Sequence, residues 1–599
     1  MTRLSSATML KFVALGVAAL AWRAVRGPRG ERGAFAGTAA AVRAVAPLAL
    51  PPGVAAPAPV SDTSARSLSL PLVPLLALGT FLATFSAVVW AWGGTDPLYF
   101  PSPDEAVNRL AAQRVADTGS PRLPLDVADE EDLRHARTWI SLDDAAIPVY
   151  PPTAYYLQGA MLRVPFAGNA LVAALPALGL AAFVAGVAGL GARRRAVALL
   201  APAMAFPALY WMMRPWMNIA TMLAFLGFAV FCWTSWRSTR RSAWLALAAA
   251  AVGVAAAVRP DYALFILSFT LCCTLAESRK RELPRILALA CFATVIAVGL
   301  NLLFDALTTG HPFTTAYQIA DARRPEAAQH VALPGPFARF SLLLMPEGVP
   351  SLAVIVDQMR RYWIDMGPVA GLALAQIATV ALLWRSRPRA ALLFGAACAV
   401  AALFMISRMS ADLYGGNDAD SLLRHSVPRY WTPVYLVAAV PPLLFIMNAR
   451  KDAHWAAAAT LCAVLALLGA RELYDQQPES LVDIHAYQAD WRQQQVEWAT
   501  AIPADAVVYT DRLDKVLWSR WEVASLPSPG DPARLAASMR RTLDSGRTTY
   551  IIQNGWDRAD VQALEAQLSA RGLSVRAGQF ASILEVTLSA RGSRGGPID

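Results

Sequence analysis

Two adjacent carboxylates, Asp104 and Glu105, open the stretch PSPDEAVNRLAAQRVADTG, a few residues beyond a long apolar run. Side chains of this type can take a proton from an attacking hydroxyl or share a divalent cation. They can equally start a helix, because Ser102 or Asp104 suits an N-cap and acids are favoured in the first turn. Arginines supply possible cationic counterparts: Arg214 in RPWMN, Arg259 in the Arg259-Pro260-Asp261 turn, and Arg424 and Arg429 in LRHSVPRYW, with His425 between them. A guanidinium presents a planar fork of donors that matches phosphate oxygens. Beside Tyr430 and Trp431, Arg429 equally suits an interfacial anchor, and Arg259 equally suits a turn-stabilising pair with Asp261.

These residues lie between long apolar blocks. The chain of 599 residues is 56% hydrophobic and 16% charged, which excludes an ordinary soluble protein. Its apolar blocks match the length that spans a hydrocarbon core of roughly 30 Å. The pattern predicts an α-helical polytopic membrane protein with eleven transmembrane helices, at 68–92, 169–192, 196–212, 218–236, 243–258, 261–276, 286–304, 367–384, 390–407, 431–448 and 454–470.

Charge orients the chain, since Lys and Arg concentrate in cytoplasmic loops. Alternate connections are basic: Arg193 to Arg195, Arg237 with Arg240 and Arg241, Arg279 to Arg281 with Arg285, Arg385 with Arg387 and Arg389, and Arg450-Lys451. All five fall on one side of the eleven-span arrangement. The net charge of +10 therefore reports topology and gives no reason to expect a nucleic-acid partner. The expected location is the inner (plasma) membrane, multi-pass, with a cytoplasmic N-terminus. Loops 93–168, 305–366 and 408–430 would lie outside, together with everything after 470.

Residues 1–66 read as a low-complexity cytoplasmic extension rich in Ala, Arg, Gly and Pro. Cleaving a signal peptide at the apolar stretch Phe12 to Trp22 would leave basic residues outside, against the charge bias of the next span. All six cysteines fall within predicted spans, which leaves no disulfide framework.

The membrane domain, 67–470, carries structured external loops. Val107, Leu110, Ala111 and Val115 recur at helical spacing and predict an amphipathic helix on the membrane surface. Tyr150-Pro151-Pro152 breaks the chain before a second amphipathic piece, TAYYLQGAMLRV. A third, SLAVIVDQMRRYW, suggests a cover over an acceptor or lipid site. The final segment, 471–599, reads as a small extracytoplasmic α/β domain, with strands at AVVYT, TYIIQN and ASILEVTL and helices at DPARLAASMRRTL and DRADVQALEAQLSARG. It lacks a Gly-rich phosphate loop, and acceptor binding or partner docking is the role expected of it.

Taken in order, PSPDEAVNRLAAQRVADTG, VYPPTAYYLQGAMLRV and SVPRYWTPVYLVAAVPPL resemble the first and late external loops of GT-C superfamily glycosyltransferases, nearest the protein O-mannosyltransferase and aminoarabinose-transferase type. The resemblance runs from about residue 68 to 470. It implies a hexosyl- or pentosyltransferase that moves a sugar from a polyprenyl-phosphate donor to a glycan, lipid or protein acceptor at the outer membrane face, by inverting displacement. By position, Asp104 would be the base or acceptor-orienting residue. Glu105 would support it, by hydrogen bonding or by holding a divalent cation such as Mg or Mn together with Asp104. Arg429 would hold the donor phosphate, with Arg424, His425 and Arg259 nearby; Tyr150, Tyr430, Asp305 and Asn218 are further substrate-binding candidates. One departure bears on the metal. Many relatives carry a second acid where this chain has Asn218, which cannot act as a carboxylate. Asp305 could compensate, as could the run Asp126, Asp129, Glu130, Glu131 and Asp132, which equally reads as a solvated surface.

Two other classes use external charges among spans. A transporter or flippase for lipid-linked sugars is one, although no inverted repeat or pair of broken helices is evident. A non-catalytic envelope-assembly protein is the other.

Overall fold

The computed structural model describes, short gaps aside, residues 72–124, 139–188, 205–277, 282–319, 351–370, 388–407, 429–435, 452–476 and 480–588. The predicted extension 1–66, the acidic run 126–132, Arg424, His425 and most of the predicted spans 367–384 and 431–448 lie outside them.

Four described helices are long and apolar enough to cross a membrane: Leu72–Ala91 (α1), Gly168–Ala188 (α4), Asn218–Thr239 (α6) and Leu283–Thr309 (α9). After α1 comes the first of the loops predicted to be external. It contains α2 (Pro103–Thr118), strands β1 (Leu123–Pro124), β2 (Trp139–Leu142) and β3 (Ala145–Pro148), and α3 (Thr153–Leu162). The strands form an antiparallel sheet in the order β1-β3-β2, with Ile140 opposite Ile147. Next are α4 (Gly168–Ala188), α5 (Phe206–Met212), α6 (Asn218–Thr239) and α7 (Ser242–Val258). The chain bends by 118° between α7 and the apolar helix after it. Pro260 forces that break, because it has no N–H to continue a helical ladder. A short 3-10 turn, Pro260–Tyr262, leads into α8 (Ala263–Glu277), followed by α9 (Leu283–Thr309), α10 (Leu352–Met359), α11 (Pro388–Ser407) and α12 (Asp452–Arg471).

Small residues set the helix spacing. A Cβ on Gly179 of α4 would lie 2.5 Å from the Ala224 Cα of α6, and one on Gly227 would strike the Gly179 carbonyl oxygen. Between α7 and α9, a Cβ on Gly253 would come 2.6 Å from the Ala293 carbonyl oxygen. Without a hydrophobic drive in lipid, such close backbone contact is a main source of helix cohesion. By contrast, Leu75, Leu78 and Leu82 of α1 and Val295, Val298 and Leu303 of α9 are exposed, as lipid-facing side chains should be. The largest core gathers Trp92, Phe206, Tyr210, Trp211, Met217, Tyr262, Trp431 and Tyr435.

The apolar face of α2 is covered by protein instead of lying on a membrane surface. Val107, Ala111, Ala112 and Val115 are buried with Tyr155 and Tyr156 of α3. A Cβ on Gly159 of α3 would sit 2.7 Å from Val115 Cγ1, so only glycine lets the two helices approach this closely. The second amphipathic piece, α3, is likewise mostly buried.

The last part of the chain begins with α13 (Leu481–Ala501). It continues through β4 (Val507–Thr510), α14 (Asp514–Leu517), β5 (Glu522–Ser525), α15 (Pro532–Asp544), β6 (Thr549–Ile552), α16 (Arg558–Ser569), β7 (Leu573–Ala577) and β8 (Ile583–Leu588). The sheet order is β5-β4-β6-β8-β7, parallel across β5, β4 and β6 and antiparallel across β6, β8 and β7. This part is fastened to the end of α1: the His485 ring stacks on Trp90 with centroids 4.6 Å apart, and Arg492 donates to the Gly93 carbonyl at 3.3 Å. α14 packs against α2.

Candidate active site

The acidic pair owes its place to the start of α2. Ser102 is the N-cap, Pro103 occupies the first turn, and Gly119 closes the helix in a left-handed conformation at φ 82°. The Ser102 hydroxyl accepts from the Asp104 N–H at 3.3 Å, while Glu105 Oε2 accepts from the Ser102 N–H at 3.3 Å. The capping reading of the two acids is therefore correct as far as it goes. It does not account for their burial, since Asp104 is only 6% exposed and Glu105 is 0% exposed. Buried carboxylates need compensating charge.

Each carboxylate has it. Arg429 Nη1 meets Asp104 Oδ2 at 2.5 Å, and Arg214 Nη2 meets Glu105 Oε2 at 3.2 Å. The Tyr150 hydroxyl donates to Asp104 Oδ1. Burial works to lower the Arg429 pKa, but Asp104 and its tyrosine neighbours outweigh it and hold the group well above its ordinary value. Arg429 is thus a permanent cation.

Aromatic rings join these pairs into a ladder. Trp211 lies 4.5 Å from the Arg214 guanidinium carbon and 6.0 Å from that of Arg429. Tyr430 in turn stands 4.9 Å from Arg429 and 5.8 Å from Arg259. Rings at these distances hold guanidinium planes by cation–π attraction. Arg259 is bound bidentately by Asp261, at 3.0 and 2.7 Å, so the turn-stabilising reading holds. The same arginine also faces the ring next to Arg429. Tyr262 completes the link by donating to the Arg429 carbonyl at 3.2 Å. Behind Arg429, the π-helical turn Arg360–Ile364 after α10 packs Tyr362 edge-on against Trp431, with centroids 5.9 Å apart.

The structure thus brings together Asp104, Glu105, Tyr150, Arg259, Arg429 and Tyr430 from widely separated segments. It adds Arg214, which was not among the donor-phosphate candidates, and Trp211, which sequence reasoning missed. The signal for Trp211 was its place in YWMMRPW, where an arginine among aromatics marks a span end. Two candidates stand differently. Asn218 is 2% exposed and its side-chain oxygen accepts from Asn108, whose amide also donates to the Trp216 carbonyl at 3.0 Å. It braces α2 against α6. Asp305 lies within α9, which continues to Thr309, and not beyond the span as expected. It is buried, and among the described residues it forms no ion pair with the arginines of the site.

The donor set does not suit a divalent cation. Three of the four carboxylate oxygens of Asp104 and Glu105 already accept hydrogen bonds from Tyr150, Arg429, Arg214 and Ser102. The side-chain oxygen of Asn218 is taken by Asn108. Mg or Mn prefers about six oxygen ligands, and among the described residues no three acidic, His or Cys side chains gather in a way that could hold an ion.

Neither a family model nor a curated protein matches the sequence. Solved structures do match. ArnT from Cupriavidus metallidurans in the apo state is 12% identical, with TM-score 0.41, over 88% of this chain and 99% of that one. The same protein bound to undecaprenyl phosphate is 14% identical, with TM-score 0.42 and the same coverage. AglB, an archaeal oligosaccharyltransferase from Archaeoglobus fulgidus in complex with an inhibitory peptide and a dolichol-phosphate, is 12% identical, with TM-score 0.37, over 86% of this chain and 74% of that one.

Proposed function

We propose that this chain is an integral membrane glycosyltransferase that moves a sugar from a polyprenyl-phosphate donor to a glycan, lipid or protein acceptor on the extracytoplasmic face. The observation that carries this reading is the buried Asp104–Arg429 pair at 2.5 Å, a carboxylate and a fixed cation side by side. In the reaction, the acceptor hydroxyl attacks the anomeric carbon as the bond from that carbon to the phosphate oxygen breaks. The configuration inverts, Asp104 takes the hydroxyl proton, and the phosphate leaves with the electron pair. Tyr150 orients Asp104 through its other oxygen. Arg429 lies next to Asp104 and supplies the cation that meets the charge developing on the phosphate. Arg259, held one ring further along by Asp261, extends that positive lining. The positive-inside pattern supports the orientation, with the N-terminus cytoplasmic and the segment from 471 onward outside.

The test is sugar transfer by the purified full chain in lipid nanodiscs, supplied with polyprenyl-phosphate sugars and envelope extract and read by mass spectrometry of the products. A glycosylated acceptor is expected with the native chain, and a loss of about a hundred-fold or more with Asp104→Asn. Movement of the sugar-lipid across the bilayer with no new glycosidic bond would make the protein a transporter and overturn the proposal.

A further inference from the structure

We infer that Arg214 is the built-in counter-cation of the transfer site, standing where a divalent ion would otherwise have to stand, so that Asp104 and Glu105 work without a metal. Charge is balanced at the head of α2. Two carboxylates, both buried, are met by two guanidiniums, so the cluster of Asp104, Glu105, Arg214 and Arg429 is neutral as it is. A dication added there would leave two uncompensated positive charges among buried groups and would have to displace donors already in place.

Arg214 is built in as firmly as a ligand-bound ion would be. It is 1% exposed and lies against the rings of both Tyr210 and Trp211, at 5.1 and 4.5 Å. Its backbone turn is closed by the Met217 N–H donating to the Arg214 carbonyl at 3.0 Å, and the next carbonyl, that of Pro215, accepts from Gln158 at 3.1 Å. The Glu105 oxygen that meets Arg214, Oε2, also accepts from the Ser102 N–H. The Asn218 position completes the picture. A carboxylate there would add the negative charge that a dication needs, whereas the amide is neutral and its oxygen accepts from Asn108. A neutral side chain at 218 and a cation at 214 are two parts of one arrangement.

A guanidinium and a dication are not equivalent to the reaction. The guanidinium attracts the leaving phosphate through charge and directional hydrogen bonds, and it cannot be removed by chelators or exchanged between ions. The inference rests on the proposed transfer reaction for its meaning, but its first test does not depend on that reaction.

That test is Mn²⁺ titration of the purified full chain followed by electron paramagnetic resonance. The native chain, Asp104→Asn and Glu105→Gln should all leave the same free Mn²⁺ signal. Mn²⁺ bound by the native chain and lost in either variant would overturn the inference. The double variant Arg214→Ala with Asn218→Asp, which removes one positive charge and adds one negative charge, should bind one Mn²⁺. If that variant fails to fold, the native comparison still decides. In transfer assays, the native chain should keep its rate in EDTA, and Arg214→Lys, which keeps a fixed cation, should retain far more of it than Arg214→Met, expected to fall about a hundred-fold. Transfer abolished by EDTA and restored by Mn²⁺ would also overturn the inference. Absence of any sugar transfer would instead remove the proposed function and leave the Mn²⁺ result standing.

Discussion

Replacing Arg429 by Ala should cost both folding stability and chemistry, and a double-mutant cycle can separate the two. The Arg429 and Asp104 side chains are 14% and 9% exposed, with Nη1 and Oδ2 2.5 Å apart. Unit charges 4 Å apart attract by about 4 kcal/mol at an effective dielectric of 20. Much of that offsets the cost of taking both groups out of water, so the pair as a whole adds little net stability. Removing one member alone strands the other charge, at a cost of roughly 3–5 kcal/mol. Arg429→Ala and Asp104→Asn should therefore each destabilise strongly, whereas the double variant should cost less than their sum by about 2 kcal/mol or more. The assay is equilibrium denaturation in a single detergent, with the native chain and all three variants measured side by side. Additive costs within about 0.5 kcal/mol would refute the reasoning, because they would mean that the two side chains do not share their charge in the folded protein. Sugar transfer is not expected to follow the stability cycle, since the double variant regains packing without regaining a base.

Two other substitutions test neighbouring parts. Tyr150→Phe removes one charge-assisted hydrogen bond from Asp104 and keeps the ring; transfer should fall about ten-fold or more, with little change in the denaturation midpoint. Gly227→Val places methyl groups against the Gly179 backbone, and the α4–α6 contact should give way, seen as loss of the monodisperse peak in size-exclusion chromatography, whereas Gly299→Ala, in open space on α9, should leave the peak unchanged.

The positions of these elements were largely legible, because apolar length and periodicity are written locally. The predicted blocks at 68–92, 169–192, 218–236 and 390–407 contain α1, α4, α6 and α11 with ends shifted by a few residues. β4, β6 and β8 lie within AVVYT, TYIIQN and ASILEVTL. The missed strands of this sheet, β5 and β7, are its two edges: β7 is only partly covered, and β5 has just two consecutive apolar residues, Val523 and Ala524, too short a run to stand out although both are buried. Periodicity on α2 told which face is apolar but not what covers it, and the covering helix, α3, shows its fit only through the Gly159 contact. The site was legible in its charges and illegible in its pairings. Asp104 and Glu105 could be singled out as acids, but no local pattern says that Arg429 serves one and Arg214 the other. Asn218 looked like a weak ligand by residue type, whereas the structure engages it with Asn108.

The distance along the chain between the paired groups sets a clock on biosynthesis. Arg214 follows Glu105 by 109 residues, but Arg429 follows Asp104 by 325. At a synthesis rate of about 5–20 residues per second, Asp104 waits on the order of 15–65 s for its partner after it is made. During that interval Ser102 can cap α2 from the start and Glu105 can meet Arg214 once residue 214 is made, but Asp104 still lacks Arg429. A chain cut short before residue 429 therefore carries an incomplete charge centre, with Asp104 made but the arginine that pairs with it missing.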